Sequence, residues 1–178
     1  GVVLLYKGKD WKRVDTGSYD SLNSAYGIDE NNVFLYGVGG RMLYWDGAKW
    51  DYREPNTIHD LFGMWGEDID HIHTVGGEGI YRFYDGKEFH RREDLTDEEI
   101  SLFGVWGTSG DNIYICGSHG TILNFDGTDW KPMESGTQEA VPGLHLTYMT
   151  GGKKEGETHD AQGTMVRMEI WEQGEGPR

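Results

Sequence analysis

The chain has 178 residues, of which 31 are Asp or Glu and 16 are Lys or Arg, so its formal net charge at pH 7 is -15. A surface of this charge repels nucleic-acid phosphates and anionic lipid, which argues against nucleic acid as a partner. The sequence contains no apolar run of the roughly 18 residues that a membrane helix needs, so membrane insertion is not expected. The 28 glycines favour a turn-rich β protein.

The chain opens on two apolar segments joined by a turn, GVVLLYKG and KDWKRVDT. The turn belongs to a motif in which an aromatic residue precedes Asp-Gly, or Lys-Gly in this first copy, and a second aromatic residue follows three positions after the glycine. The glycines of the four copies recur every 39 to 41 residues, at Gly8, Gly47, Gly86 and Gly127. A period of this length predicts a repeat architecture.

Two further segments recur in register with the turns. The first reads LNSAYG at 22–27, LFGMWG at 61–66, LFGVWG at 102–107 and LHLTYM at 144–149. The second reads NVFLYGVGG, HIHTVGGEG and NIYICGSHG. Each repeat therefore contains four short β-branched and aromatic segments separated by turn residues, which predicts a four-stranded propeller blade.

The predicted fold is all-β, a single small β-propeller domain over residues 1–178. The repeats span about 22–58, 61–99, 102–140 and 144–178, and the strands in 1–17 complete the last of them, so that the two chain ends share the fourth blade. This arrangement removes the exposed sheet edges. In the alternative interpretation, TMVRMEIW is a third strand, and the chain is a fragment or half of a larger propeller.

The segment 102–130 reads L-x-G-V-W-G, D-N-I-Y-x-x-G and G-T-I-L-x-F-D-G-x-x-W. This pattern resembles the propeller repeats of bacterial proteins related to sialidase Asp-box and photosystem assembly-factor propellers, and the resemblance extends to Pro132. It implies a propeller fold, which serves enzymes, lectins and scaffolds alike. Unlike the Asp-box, Asp46, Asp85 and Asp126 directly precede their glycines, which weakens the enzymatic implication.

The repeated residues are interpreted as structural. Asp-Gly supplies the positive φ that a tight hairpin turn requires, which assigns Gly47, Gly86 and Gly127 to the turns. We expect the aromatic residues to fill the wedges between adjacent blades rather than to form a stacking platform for sugars. These aromatic residues are Trp11, Trp50, Phe89 and Trp130 in the outermost strands, and Trp65 and Trp106 in the innermost strands.

A first candidate site is DIDHIH at 68–73, where the repeats differ. Carboxylates two residues apart, Asp68 and Asp70, can bind Ca²⁺, and His71 with His73 can bind a transition metal if both face a cavity. The alternative is a polar turn that leads into the second strand. Calcium is the one cofactor that the sequence suggests.

Two charged loops are further candidates. The segment 151–163 has no counterpart in the other repeats, and its recognition candidates are Lys153, Lys154, His159 and Asp160, although it can equally be a plain connection. In the loop 90–100, Arg91 and Arg92 can clamp a carboxylate, or they form part of a solvated charge run.

No catalytic residues are predicted, because the arginines do not recur at one repeat position and the sequence contains no recognised nucleophile, phosphate-binding or metalloprotease motif. We therefore expect a non-catalytic interaction or scaffold domain that presents loops to a protein partner. It is expected to act as one module of a larger extracellular or cell-envelope assembly, or as a homo-oligomer. The alternative is a glycan-binding lectin, and a sialidase-like glycoside hydrolase is less favoured.

Overall fold

The structure is a computed structural model that describes residues 1–6, 8–92 and 95–141, and the backbone of the strands at 144–149 and 165–170. These residues form sixteen β-strands. The strands are β1 (Val3–Tyr6), β2 (Trp11–Val14), β3 (Leu22–Asp29), β4 (Asn32–Gly37), β5 (Met42–Trp45), β6 (Trp50–Arg53), β7 (Leu61–Asp68), β8 (His71–Gly76), β9 (Tyr81–Tyr84), β10 (Phe89–Arg91), β11 (Leu102–Ser109), β12 (Asn112–Gly117), β13 (Ile122–Phe125), β14 (Trp130–Pro132), β15 (Leu144–Met149) and β16 (Met165–Ile170). A 3-10 turn, Val38–Gly40, joins β4 to β5. None of the described residues forms a helix that could cross a membrane.

Three complete blades follow one another along the chain. The strands β3 to β6, β7 to β10 and β11 to β14 each form a four-stranded sheet in which consecutive strands pair antiparallel. Each innermost strand carries the same pairing irregularity near its start, after Leu22, Leu61 and Leu102. The three blades are therefore structural copies of one another, down to the position of a bulge.

The innermost strands lie side by side. Strand β7 contacts both β3 and β11, and β15 contacts β11 on its other side. Strand β15 pairs with β16 in a two-stranded sheet. Blades that stack face to face in this order form a small β-propeller, and the predicted all-β propeller fold is confirmed.

The hydrophobic core lies at the two interfaces between complete blades. The first interface, between the first and second blades, buries Phe34, Met42, Leu61, Ile72 and Phe89, among others. The second interface, between the second and third blades, contains a separate cluster. Its buried members are Trp65, Val75, Tyr81, Leu102, Val105, Ile113, Ile115 and Leu123. The middle blade contributes one face to each cluster.

The Asp-Gly turns join the third and fourth strands of each blade. Gly47, Gly86 and Gly127 have φ values of +89°, +86° and +87°, a region in which other residues are strained. Each preceding aspartate accepts two backbone hydrogen bonds from the residues two and three positions after it, at 2.8–3.0 Å. These bonds are the main cause that lowers the pKa of Asp85 and Asp126.

The two aromatic residues of each turn motif are cross-strand partners. Their ring centroids lie 4.9–5.5 Å apart in all four copies, in the pairs Tyr6–Trp11, Trp45–Trp50, Tyr84–Phe89 and Phe125–Trp130. The repeated motif is thus a hairpin with a tight turn at one end and, beside the turn, two aromatic rings that contact each other at a tilt.

The hairpin of β1 and β2 differs from the other three copies in that its large apolar side chains are exposed. Trp11 is 66% exposed, so the prediction that it fills a wedge between blades is wrong for this residue. Leu4, Leu5 and Tyr6 are exposed as well. Strands β1 and β2 form one two-stranded sheet and β15 and β16 form another. Their union into one shared blade remains a prediction.

Candidate functional site

A cavity of about 600 Å³ opens at the second interface. We call it the aromatic groove. The second blade lines it with Glu67, Asp68, His71, His73, Tyr81, Phe83, His90, Arg91 and Arg92, and the third blade lines it with Gly110, Phe125 and Trp130. It brings together most of the described residues that the sequence singled out, at the 68–73 turn and in the loop that begins at His90.

Strand alternation explains why these side chains share one face of the second blade. His71 and His73 are two apart on β8, and Tyr81 and Phe83 are two apart on β9. Across the sheet, His73 pairs with Trp65 on one side and with Phe83 on the other. Residues two apart on a strand point to the same side, and so do directly paired residues.

Aromatic rings form the wall of the groove. The ring of Phe83 lies 4.8 Å from the His73 imidazole and stacks on that of His71 at 6.2 Å. From the third blade, Trp130 meets the Tyr81 ring edge-on at 5.5 Å. Phe83 and Trp130 are only half-buried, so the groove presents apolar ring surface to an incoming group.

A buried polar pair lies beneath this wall. Nδ1 of His73 and the hydroxyl of Tyr81 are hydrogen-bonded at 2.7 Å, and both residues are buried. Burial, with a smaller contribution from nearby His71, lowers the pKa of His73 to about 4. Burial also raises the pKa of Tyr81. At neutral pH both groups are therefore uncharged, and they fix the floor of the groove.

Carboxylates lie at the inner end of the groove, where β7 ends. Oε2 of Glu67 accepts a hydrogen bond of 3.0 Å from the backbone N–H of Gly110, which ties the two blades together. The Asp68 carboxylate lies 2.8 Å from Nδ1 of His71 and accepts a bond from the backbone N–H of Asp70. Both carboxylates are exposed to solvent.

The structure does not assemble the predicted metal set, Asp68, Asp70, His71 and His73. In the described part of the chain, no group of three or more His, Cys, Asp or Glu side chains is placed to hold a metal ion. His73 is hydrogen-bonded to Tyr81. Asp70 packs closely against the Asp-Gly turn at Gly86: a Cβ atom added to this glycine would lie only 3.0 Å from the Asp70 side chain. The predicted Ca²⁺ or transition-metal site is wrong, because Asp68 serves the turn and the two imidazoles have separate partners.

Basic residues lie at the outer end of the groove, on and just after β10. Nε2 of His90 is 2.8 Å from the Asp85 carboxylate. Arg91 is exposed and Arg92 is half-buried, and both also interact within the protein. The other predicted recognition residues, Lys153, Lys154, His159 and Asp160, lie outside the described residues.

Comparison with known proteins gives matches among solved structures only. The chain matches no family model, and no curated protein matches it by sequence. Among solved structures, it is similar to YCF48 bound to D1 peptide, with a TM-score of 0.61 and 14% sequence identity over 80% of this chain. The likeness is one of fold. The chain spans about half of the matched structure, 49% of its length.

The equivalent positions of the first interface show what is particular to the groove. Phe34, Tyr44 and Phe89 occupy the places that His73, Phe83 and Trp130 hold at the second interface, and all three are buried. The Arg53 guanidinium covers the Tyr44 ring at 4.7 Å, and the Tyr44 hydroxyl bonds to the Asn32 side chain. At these positions the first interface is filled where the second is open. The cavity of about 640 Å³ beside the first interface lies elsewhere, along the 54–59 loop, and is lined mainly by polar residues such as Asn56, Glu78 and Arg82.

Four buried positions of the second blade carry polar side chains, and sequence reasoning missed three of them. His73, Thr74, Tyr81 and Arg82 are buried. The matching residues of the first blade are apolar, Phe34, Leu35, Met42 and Leu43, and those of the third blade are Tyr114, Ile115, Ile122 and Leu123. The Arg82 guanidinium donates to the carbonyls of Pro55, Asn56 and Tyr81. A search of the aligned repeats for polar residues at apolar positions would have found this set.

Proposed function

We propose that the chain is a non-catalytic interaction module that binds a segment of a protein partner in the aromatic groove. One observation carries the proposal. At the same repeat positions, the first interface is filled by buried rings and the second holds a cavity of about 600 Å³ beside half-exposed rings. A cavity of this size that combines apolar walls with a few charged groups is typical of a binding site.

The chemistry of the groove suits a peptide. Aromatic and arginine side chains are the residues that contribute most to protein interfaces, and the groove presents Phe83, Trp130, Arg91 and Arg92 together. The hydrogen bond between His73 and Tyr81 holds its floor rigid, which lowers the entropy that binding must overcome. That a structure of the same fold, YCF48, is bound to a peptide supports the proposal.

A glycan-binding lectin is the second candidate because the half-buried Trp130 ring could stack on a sugar. A propeller lectin built from repeats would be expected to repeat its site at each interface. The first interface buries Phe34, Tyr44 and Phe89 at the positions concerned, so it does not offer a second copy of the groove. This difference favours the peptide.

The proposal is tested by selecting peptides from a displayed random library against the full chain and measuring their binding by fluorescence anisotropy. We expect Phe83→Ala and Trp130→Ala each to weaken the selected peptides by roughly tenfold to thirtyfold, as for anchor residues of an interface. The matched control is Tyr52→Ala, which removes an exposed ring outside the groove. Binding of oligosaccharides but no peptide, or peptide binding that Phe83→Ala leaves unchanged, would contradict the proposal.

A further inference from the structure

The two ends of the aromatic groove differ in charge. Glu67 and Asp68 terminate β7, the innermost strand of the second blade, and both are exposed. Their present bonds, to the Gly110 N–H, the Asp70 N–H and His71, leave further carboxylate lone pairs. This end can therefore accept hydrogen bonds from a cationic side chain of a partner.

The outer end carries the opposite sign. Arg91 ends β10, the outermost strand of the same blade, and Arg92 follows it. A guanidinium stays charged and has five N–H donors, so an arginine that already interacts within the protein keeps donors for a carboxylate. Phe83 lies on β9, the strand between β10 and β8, and supplies the apolar middle of the groove.

The distance between the ends can be read from the sheet. The order β7, β8, β9, β10 places three strand spacings of about 4.8 Å, roughly 14 Å, between the carboxylates and the arginines across the sheet. The strand register adds an offset of three residues, about 10 Å, between Asp68 and Arg91 along the strands, so their backbones lie about 17 Å apart. An extended peptide advances about 3.3 Å per residue and alternates its side chains. Residues four apart in such a peptide span about 13 Å, and they face the same side as the residue midway between them. The long side chains of lysine, glutamate and arginine cover the remaining few ångströms to the two ends of the groove.

We infer that the groove recognises an extended segment in which a basic residue, a large apolar residue and an acidic residue occupy every second position. The inference rests on the proposed function and specifies which segments the groove accepts. The net charge of -15 also favours a segment that contains a basic residue, because it repels a segment whose only charged residues are acidic. The basic residue lies at Glu67 and Asp68, the apolar side chain lies against Phe83, and the acidic residue lies at Arg91 and Arg92.

The test uses fluorescein-labelled peptides with Gly-Ser flanks and the core Lys-Ser-Phe-Ser-Glu. Two peptides alter the charge, with cores Glu-Ser-Phe-Ser-Glu and Lys-Ser-Phe-Ser-Lys, and one shortens the spacing, with the core Lys-Phe-Glu. We expect each of the three to bind the full chain about five- to tenfold more weakly than the parent peptide at low ionic strength, because each places one charge wrongly. The difference is expected to shrink as salt rises.

Charge-neutralising variants assign each peptide charge to one end of the groove. In Glu67→Gln with Asp68→Asn, where the Asn side chain still accepts the Asp70 N–H bond of the turn, the parent peptide is expected to lose its advantage over Glu-Ser-Phe-Ser-Glu. In Arg91→Gln with Arg92→Gln, it is expected to lose its advantage over Lys-Ser-Phe-Ser-Lys. The matched controls are Glu30→Gln, in the corresponding turn of the first blade, and Arg13→Gln on β2; both residues are exposed.

The outcomes separate this inference from the proposed function. Equal binding of all four peptides, still dependent on Phe83, would overturn the charge pattern and leave peptide binding standing. Charge effects that persist unchanged in both double variants would also overturn it, because the charges would then be read elsewhere. If no peptide binds, either designed or selected from the library, the proposed function fails and the inference fails with it.

Discussion

The first and second interfaces of this propeller are built from the same repeat positions and have opposite properties. At the first interface, Ile28 packs against the core, and Tyr44 is buried beneath Arg53. At the second interface, the corresponding residues are Glu67, which is exposed, and Phe83, which is half-buried. Thus a carboxylate replaces an apolar residue, and a ring without a hydroxyl replaces a tyrosine. These two exchanges accompany the change from a packed interface to an open groove.

This comparison shows that the repeat and the site are separable features of the sequence. The turns, the cross-strand ring pairs and the innermost strands recur and specify the blade. His73, Thr74, Tyr81 and Arg82 interrupt the apolar pattern in the second blade. At three of these four positions the other two blades carry apolar residues; at the fourth, that of His73, the third blade carries Tyr114.

Each of these four polar residues is hydrogen-bonded. His73 and Tyr81 face the groove, whereas Thr74 and Arg82 lie on the opposite face of the blade, toward the first interface. The polar pair His73–Tyr81 is therefore the part of this set that distinguishes the groove from the first interface.

The largest expected effect comes from a matched pair of substitutions, Tyr44→Ala and Phe83→Ala. Tyr44 is 7% exposed, and its removal is expected to lower the free energy of unfolding by about 3–4 kcal/mol. Phe83 is half-buried, and its removal is expected to lower that free energy by about 1–2 kcal/mol. Urea denaturation of both variants checks the difference. Equal losses would mean that the second interface is packed like the first in solution.

The pH dependence of stability gives the next largest effect. The pKa of buried His73 is about 4, against about 6.5 in an unfolded chain. The unfolded state therefore binds the additional proton between these values, and the free energy of unfolding is expected to fall by about 3 kcal/mol as the pH drops from 7 to 4. The aspartates with lowered pKa values, such as Asp85 and Asp126, lose their contribution only below about pH 4.

The control for this prediction is His73→Phe, which places at this position the residue that the first blade has in Phe34. Urea denaturation at several pH values should then show a flatter profile between pH 4 and 6.5, although the Tyr81 hydroxyl loses its partner at every pH. An unchanged slope in this variant would mean that another group, and not His73, takes up the proton.

The fold was readable from the sequence because its signals are local and repeated. An Asp-Gly turn and a cross-strand ring pair each depend on a few neighbouring residues, so Gly47 and the pair Trp45–Trp50 predict the same hairpin as their copies. The β1–β2 hairpin shows the limit of this reasoning. Trp11 has the local pattern of Trp130, but its burial depends on a neighbouring blade, which the pattern does not specify.

The site was only partly readable because it depends on contacts between repeats. The sequence singled out Asp68, His71, His73, Arg91 and Arg92, which do line one groove, but it assigned the first three, together with Asp70, to a metal. The error arose because alternation within one strand predicts which side chains share a face, and not which partner each one finds. Tyr81 lies eight residues from His73 and provided that partner.

The smallest expected effect comes from a comparison of Trp11, in the terminal hairpin, with Trp130, which lines the groove at the same repeat position. Trp11 is 66% exposed, so Trp11→Ala is expected to change the free energy of unfolding by less than about 0.5 kcal/mol. Trp130→Ala, at the same repeat position, is expected to lower it by about 2 kcal/mol because its ring packs against Tyr81 and Phe125. Urea denaturation of the two variants measures the difference. If Trp11→Ala also costs about 2 kcal/mol, the ring is covered in solution, and the hairpin of β1 and β2 then completes the blade that β15 and β16 begin.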